Sequence, residues 1–137
     1  MNDHKATVQK FYETIWNKAD KTAIPELLHE DVSFRGSLGL ANRGHEGFAI
    51  YIDFVRNALG DYHCKVVDMV AEDDEVYARI HYSGTHRGEL FGYAATNAKL
   101  KWEGMVAFTF ADGKITDIWA LGDVHSIMKQ LSKYAMY

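Results

Sequence analysis

The chain has 137 residues, close to the modal size of one domain, and its 47% hydrophobic and 25% charged residues with a single proline exclude a low-complexity or disordered polymer. Formal net charge is -4 and the 15 Lys and Arg are scattered, so no basic stripe marks nucleic acid as a partner. No apolar run approaches the roughly 20 residues of a membrane span, and the opening Met1-Asn2-Asp3-His4-Lys5 lacks the apolar segment of a signal peptide, so the expected location is the cytoplasm, away from membranes.

Val8, Phe11, Tyr12, Ile15 and Trp16 recur at helical spacing and predict a first helix that buries this stripe. A second helix of about two turns is expected around Pro25, which suits a first helical turn, and it ends at Leu27-Leu28. Val32-Ser33-Phe34-Arg35 alternates like a short strand, and Gly36, Gly39 and Gly44 punctuate the loop that follows it. From about His45 to Leu59 the apolar residues Phe48, Ile52, Val55 and Leu59 share one face of a third helix, with Gly60 placed for a left-handed C-cap.

Beyond residue 63 the hydrophobic period changes from 3.6 to 2. Strand-like runs cover roughly 63–72, 75–87, 99–111 and 114–122, with Asp73-Asp74 and Asp112-Gly113 as turns, and so predict an antiparallel meander. Val124, Ile127, Met128 and Leu131 form the apolar face of a short last helix. Helices precede strands, so the expected class is α+β, with one domain over residues 1–137. Cys64 has no intramolecular disulfide partner and reads as a small core residue.

A curved sheet wrapped against helices leaves a hollow when its inward side chains do not meet. Tyr12, Trp16, Tyr82, Phe91, Tyr93, Trp102 and Trp119 all suit inward positions and are the candidate lining of an apolar pocket, although the same residues would equally fill a solid core. Asp123, between the last strand and the last helix, is the leading candidate for chemistry. Desolvation at the rim of an apolar space raises a carboxyl pKa toward the range useful for proton transfer, whereas an N-cap role on Ser126 or Ile127 would hold it ionised, so two roles stay open. His86 is the second candidate. On the strand through Val76, Ala78, Ile80, Tyr82 and Gly84 it belongs to the apolar, inward set, from which an imidazole can polarise a carbonyl or hold Asp123. No His/Cys cluster has ligand spacing, so no metal is expected, and no Gly-rich nucleotide loop or serine elbow is present.

Three stretches carry a resemblance. They are Gly84-Thr85-His86-Arg87-Gly88-Glu89-Leu90-Phe91-Gly92, the hairpin from Phe108 through Asp112-Gly113 to Trp119, and Asp123 followed by Met128-Lys129-Gln130-Leu131. With the order of helices, they make the chain similar to the SnoaL-like polyketide cyclases, a branch of the nuclear transport factor 2-like superfamily. The resemblance implies a cone-shaped curved antiparallel sheet, three N-terminal helices and a short C-terminal helix enclosing a pocket. It further implies cofactor-free acid/base chemistry on a hydrophobic small molecule, an aldol ring closure in which an aspartate matching Asp123 is acid and base. A non-catalytic small-molecule binder of the same fold is the alternative. Departures from the family pattern are Thr109, where Arg is common, and Ala95-Thr96-Asn97, where Pro-Thr-Gly is common; the general base of the related ketosteroid isomerases falls at Gly36. Sheet-face dimers are common among such proteins, so a homodimer through the face carrying Tyr77, Arg79 and His81 is expected.

Overall fold

The structure, a computed structural model, describes residues 3–135; the outermost residues of the expected domain, 1–2 and 136–137, lie outside the described residues. Helix α1 (His4–Lys10) starts at Asp3, whose carboxylate accepts the Ala6 N–H at 3.0 Å and so satisfies one of the free donors of the first turn. It continues as a π-helical stretch, Phe11–Trp16, closed by the Asn17 N–H donating to the Tyr12 carbonyl five residues back. All five stripe residues are buried. Asp20 then caps a 3₁₀ turn, Lys21–Ala23, that leads into α2 (Ile24–Leu27).

Strand β1 (Leu28–Arg35) is longer than the alternation predicted, and the loop after it contains a three-residue edge strand, β2 (Ala41–Arg43). Helix α3 (Gly44–Ala58) buries Phe48, Tyr51, Ile52 and Val55. Gly60 is not its left-handed cap. The chain passes directly from the helix into an extended Leu59 paired with His86, and the left-handed residue is Asp61 (φ 52°).

Strands β3 (Leu59–Glu72), β4 (Glu75–His86), β5 (Lys99–Ala111) and β6 (Lys114–Gly122) form the expected meander. Asp112 and Gly113 both have positive φ, the backbone that a two-residue hairpin with right-handed strand twist requires. The sheet is not wholly antiparallel. Its order is β2-β1-β6-β5-β4-β3, and β1 runs parallel to β6 with Phe34 opposite Ile118 and Arg35 opposite Trp119. A strand delivered by helices rather than by a hairpin has no turn to fix its direction.

Inward positions of β4 and β5 alternate strictly. Val76, Ala78, Ile80, Tyr82 and His86 face Val106, Phe108, Trp102 and Leu100 across a continuous core against α1 and α3. Strand β6 stops at Gly122 while β5 extends past it. Helix α4 (Val124–Ala135) takes its place beside β5, where the Gln130 side-chain amide accepts from the Lys101 N–H and donates to the Lys101 carbonyl. Ile127 and Leu131 are fully buried beneath it.

Candidate functional site

Inside the cone lies a small, partly open cavity of about 30 Å³, room for about two waters at 10–15 Å³ each. Helix α1 and its π-helical continuation supply Phe11, Tyr12 and Trp16; α3 supplies Phe48 and Tyr51; the sheet supplies Phe34, Tyr62, Cys64, Tyr82, Val106, Ile118 and Ala120. Arg35 and Gly36, with Ser37 from the buried turn after β1, complete the wall. Among the described residues, no carboxylate or imidazole lines this space.

The aromatic rings pack mostly edge to face. Trp16 contacts Phe48, Tyr51 and Tyr62 at centroid distances of 5.8, 5.7 and 5.4 Å, and Tyr82 stacks on Trp102 at 5.3 Å. Burial pushes the Tyr12 phenol well above its ordinary value, and the adjacent Tyr82 phenol adds to the shift. Tyr51, Tyr62 and Tyr82 are raised by burial as well, and burial pushes the Cys64 thiol up to about 12. Near neutral pH the cavity therefore presents uncharged hydroxyls and one inert thiol, and Arg35, whose charge acts to lower the Tyr51 phenol against the effect of burial, also borders it. Such groups orient a ligand through hydrogen bonds; none of them is a base.

Of the residues expected to line the pocket, Tyr12, Trp16 and Tyr82 do so. Trp102 is buried behind Tyr82, and its indole N–H has no protein partner. Phe91 lies in a left-handed turn bridged by Leu90 and Tyr93 and is exposed, while Tyr93 is half-buried at the core margin. Trp119 faces outward with 47% of its surface exposed, beneath the Arg35 guanidinium at 5.2 Å from the ring centroid. Arg35 also donates to the Ala120 carbonyl.

His86 points inward, as alternation requires, but not onto the cavity. Its ring is fully buried at the end of β4, where Nδ1 accepts the Thr96 N–H at 3.2 Å and lies 3.0 Å from the Thr96 hydroxyl, so the ring ties down the loop before β5. Asp123 is exposed and turned to the convex side. Its Oδ1 accepts the Ser126 N–H at 3.0 Å, an N-cap for α4, and its own N–H continues the ladder to the Glu103 carbonyl. It borders an open groove of about 470 Å³ on the outer face, and the structure does not bring it together with His86 at the cavity.

Tyr51, Tyr62, Ser37 and Cys64 were not singled out as lining. Three of them had a signal: Tyr51 stands three residues after Phe48 on the buried face of α3, and Tyr62 and Cys64 alternate inward on β3. Among the described residues no group of three or more His, Cys, Asp or Glu is gathered as metal ligands would be, and no helix is long and apolar enough to cross a membrane.

Known proteins share this architecture. Aklanonic acid methyl ester cyclase AcmA of Streptomyces galilaeus is 28% identical over 117 residues, 84% of this chain and 81% of that protein. The structure of TsrD from Streptomyces laurentii superposes with a TM-score of 0.80 at 25% identity, over 92% of this chain and 95% of that one. A SnoaL-like polyketide cyclase from Agrobacterium tumefaciens gives a TM-score of 0.81 over 96% and 99% of the two chains, and at 16% identity it speaks for the fold alone. The family model of the SnoaL-like polyketide cyclases matches residues 6–131, and the chain belongs to that family.

Proposed function

We propose that the protein binds a hydrophobic small molecule in the cone cavity, with phenol and serine hydroxyls as its polar handles. The supporting observation is the lining itself: aromatic walls and four tyrosines whose phenols burial raises, with Arg35 at the border and no carboxylate or imidazole among the described residues that face it. A carbonyl-bearing aromatic ligand matches such donors. At about 30 Å³ the cavity must widen by side-chain movement to admit a ring.

Ring closure driven by Asp123 is the second reading. It is favoured by likeness to a cyclase and by the free face of that carboxylate on the outer groove. Calorimetric titration with aromatic ketones and polyketide-type esters, paired with product analysis, separates the two. Binding without turnover in the native protein, unchanged in Asp123→Asn, supports the binder; turnover that Asp123→Asn abolishes while binding persists overturns it in favour of the cyclase.

A homodimer through the convex face belongs to the same proposal. Val70, Tyr77, Ala107 and Trp119 stand opposite one another in one row across four strands, and Met105 and Leu121 form the next pair. Tyr, Trp, Met and Arg35 are residue types that anchor protein interfaces. Sedimentation at micromolar concentration is expected to give a dimer, and Trp119→Glu a monomer. The reduced, buried Cys64 fits the cytoplasm as its compartment.

A further inference from the structure

Among the described residues, two buried side-chain polar atoms have no hydrogen-bond partner: His86 Nε2 and Trp102 Nε1. Folded chains rarely leave such groups unmatched, because the water bond given up on burial is then not replaced. The two differ in place. His86 stands at the end of β4 and does not border the cavity, whereas the Trp102 ring stacks on Tyr82 at 5.3 Å and leans on Tyr62 at 6.1 Å, and both tyrosines are cavity wall.

Register brings the indole this close. Tyr82 and Trp102 are direct partners across β4 and β5, both on the inward face, and the next inward position of β5 is Gly104. With no side chain there, the Tyr82 ring lies over it: a Cβ on Gly104 would stand 3.0 Å from Tyr82 Cε2. Tyr82 and Tyr62 are thus shared between the cavity wall and the indole. Their hydroxyls do not serve the indole, since the Tyr82 phenol interacts with Ser37 and Tyr12, and the Tyr62 phenol with Cys64.

We propose that Trp102 is a ligand-binding residue of the cone site, whose indole N–H donates to a carbonyl oxygen of the bound molecule once the cavity has widened past Tyr82. This rests on the reading that the cavity takes a hydrophobic small molecule, and it names the group that selects among such molecules. An indole N–H can only donate, so its partner is an acceptor. Among aromatic carbons a neutral carbonyl enters at far lower cost than a carboxylate. A ligand without that oxygen leaves the donor unmatched, so Trp102 favours ketones and esters over hydrocarbons of the same shape.

The test compares acetophenone with ethylbenzene, which differ by the carbonyl oxygen, and follows the indole N–H signals of the three tryptophans in isotope-labelled protein. Trp16→Phe and Trp119→Phe identify the Trp102 signal by elimination, so its assignment needs no change at Trp102. That signal is expected to move downfield with acetophenone and not with ethylbenzene. Trp102→Phe, verified as folded by circular dichroism, is expected to weaken acetophenone about fivefold to tenfold and ethylbenzene far less. Backbone amide shifts at Tyr12 and Ser37 report occupancy of the cavity. If both ligands produce them while the Trp102 signal stays still with acetophenone, or if Trp102→Phe weakens both ligands equally, Trp102 only packs, and this proposal is overturned while the cavity reading stands. If neither ligand shifts Tyr12 and Ser37, the cavity reading falls and the assignment of Trp102 falls with it.

Discussion

The hydroxyl of Tyr51 occupies the place where a side chain at Gly36 would begin: a Cβ on Gly36 would lie 1.8 Å from that oxygen and 2.1 Å from the ring carbon bearing it. The backbone of Gly36 is not left-handed, so the demand for glycine there is one of space alone. Here a neutral phenol fills that space.

Gly36→Ala is therefore expected to displace Tyr51 and to cost about 1–3 kcal/mol as an overpacked core. Tyr51→Ala alone is expected to cost about 3–5 kcal/mol, as large-to-small changes of buried aromatics do. In the double variant the clash is gone, so the two losses should fall clearly short of additivity. Urea unfolding of the four proteins measures this coupling; strict additivity would show that the contact does not govern the site.

The Asp123 carboxylate is expected to behave as a cap. Asp123→Ala should lower stability by about 1 kcal/mol, whereas Asp123→Asn, a good N-cap itself, should stay within about 0.5 kcal/mol of the parent. Thermal unfolding monitored by circular dichroism distinguishes them. Ligand affinity of the inner cavity should be the same in both, since Asp123 does not line it.

Alkaline pH should unfold the protein early. Folding raises the Cys64 thiol from 9.0 to about 12 and also raises the four cavity phenols, chiefly by burial. A group whose folded pKa is raised contributes its full stability below the unfolded value and loses it as pH climbs toward the folded one. Denaturant midpoints should thus be level through pH 8 and fall from about pH 9, first through the thiol and then through the phenols. The slope is about 1.4 kcal/mol per pH unit for each proton that only the unfolded chain has released. In Cys64→Ala the decline should begin nearer pH 10, where tyrosine ordinarily ionises.

The meander, its turns and the stripe of α1 were legible because each depends on residues close in sequence. Pairing of β1 with β6 joins segments some eighty residues apart, and no local pattern encodes it. The outward position of Trp119 has a specific origin. Ile115 and Ile118 are both buried although they differ in parity, because the register of β5 and β6 shifts between Thr109 and Phe110. Counting by twos from Ile115 leads inward to Trp119. Past the irregularity the inward residues are instead Ile118, Ala120 and Gly122, and every side chain beyond it changes face. His86 was placed on the correct face of β4 because that strand keeps its alternation throughout.

The three tryptophans stand in three different surroundings. Trp16 borders the inner cavity, Trp102 is sealed behind Tyr82, and Trp119 stands outside on the sheet. Their emission colours should differ accordingly, with red-shifted, quencher-accessible light from Trp119 and blue-shifted, protected light from the other two. The protein thus carries its own optical readouts: an event on the outer face and an event within the cone should register in separate parts of one fluorescence spectrum.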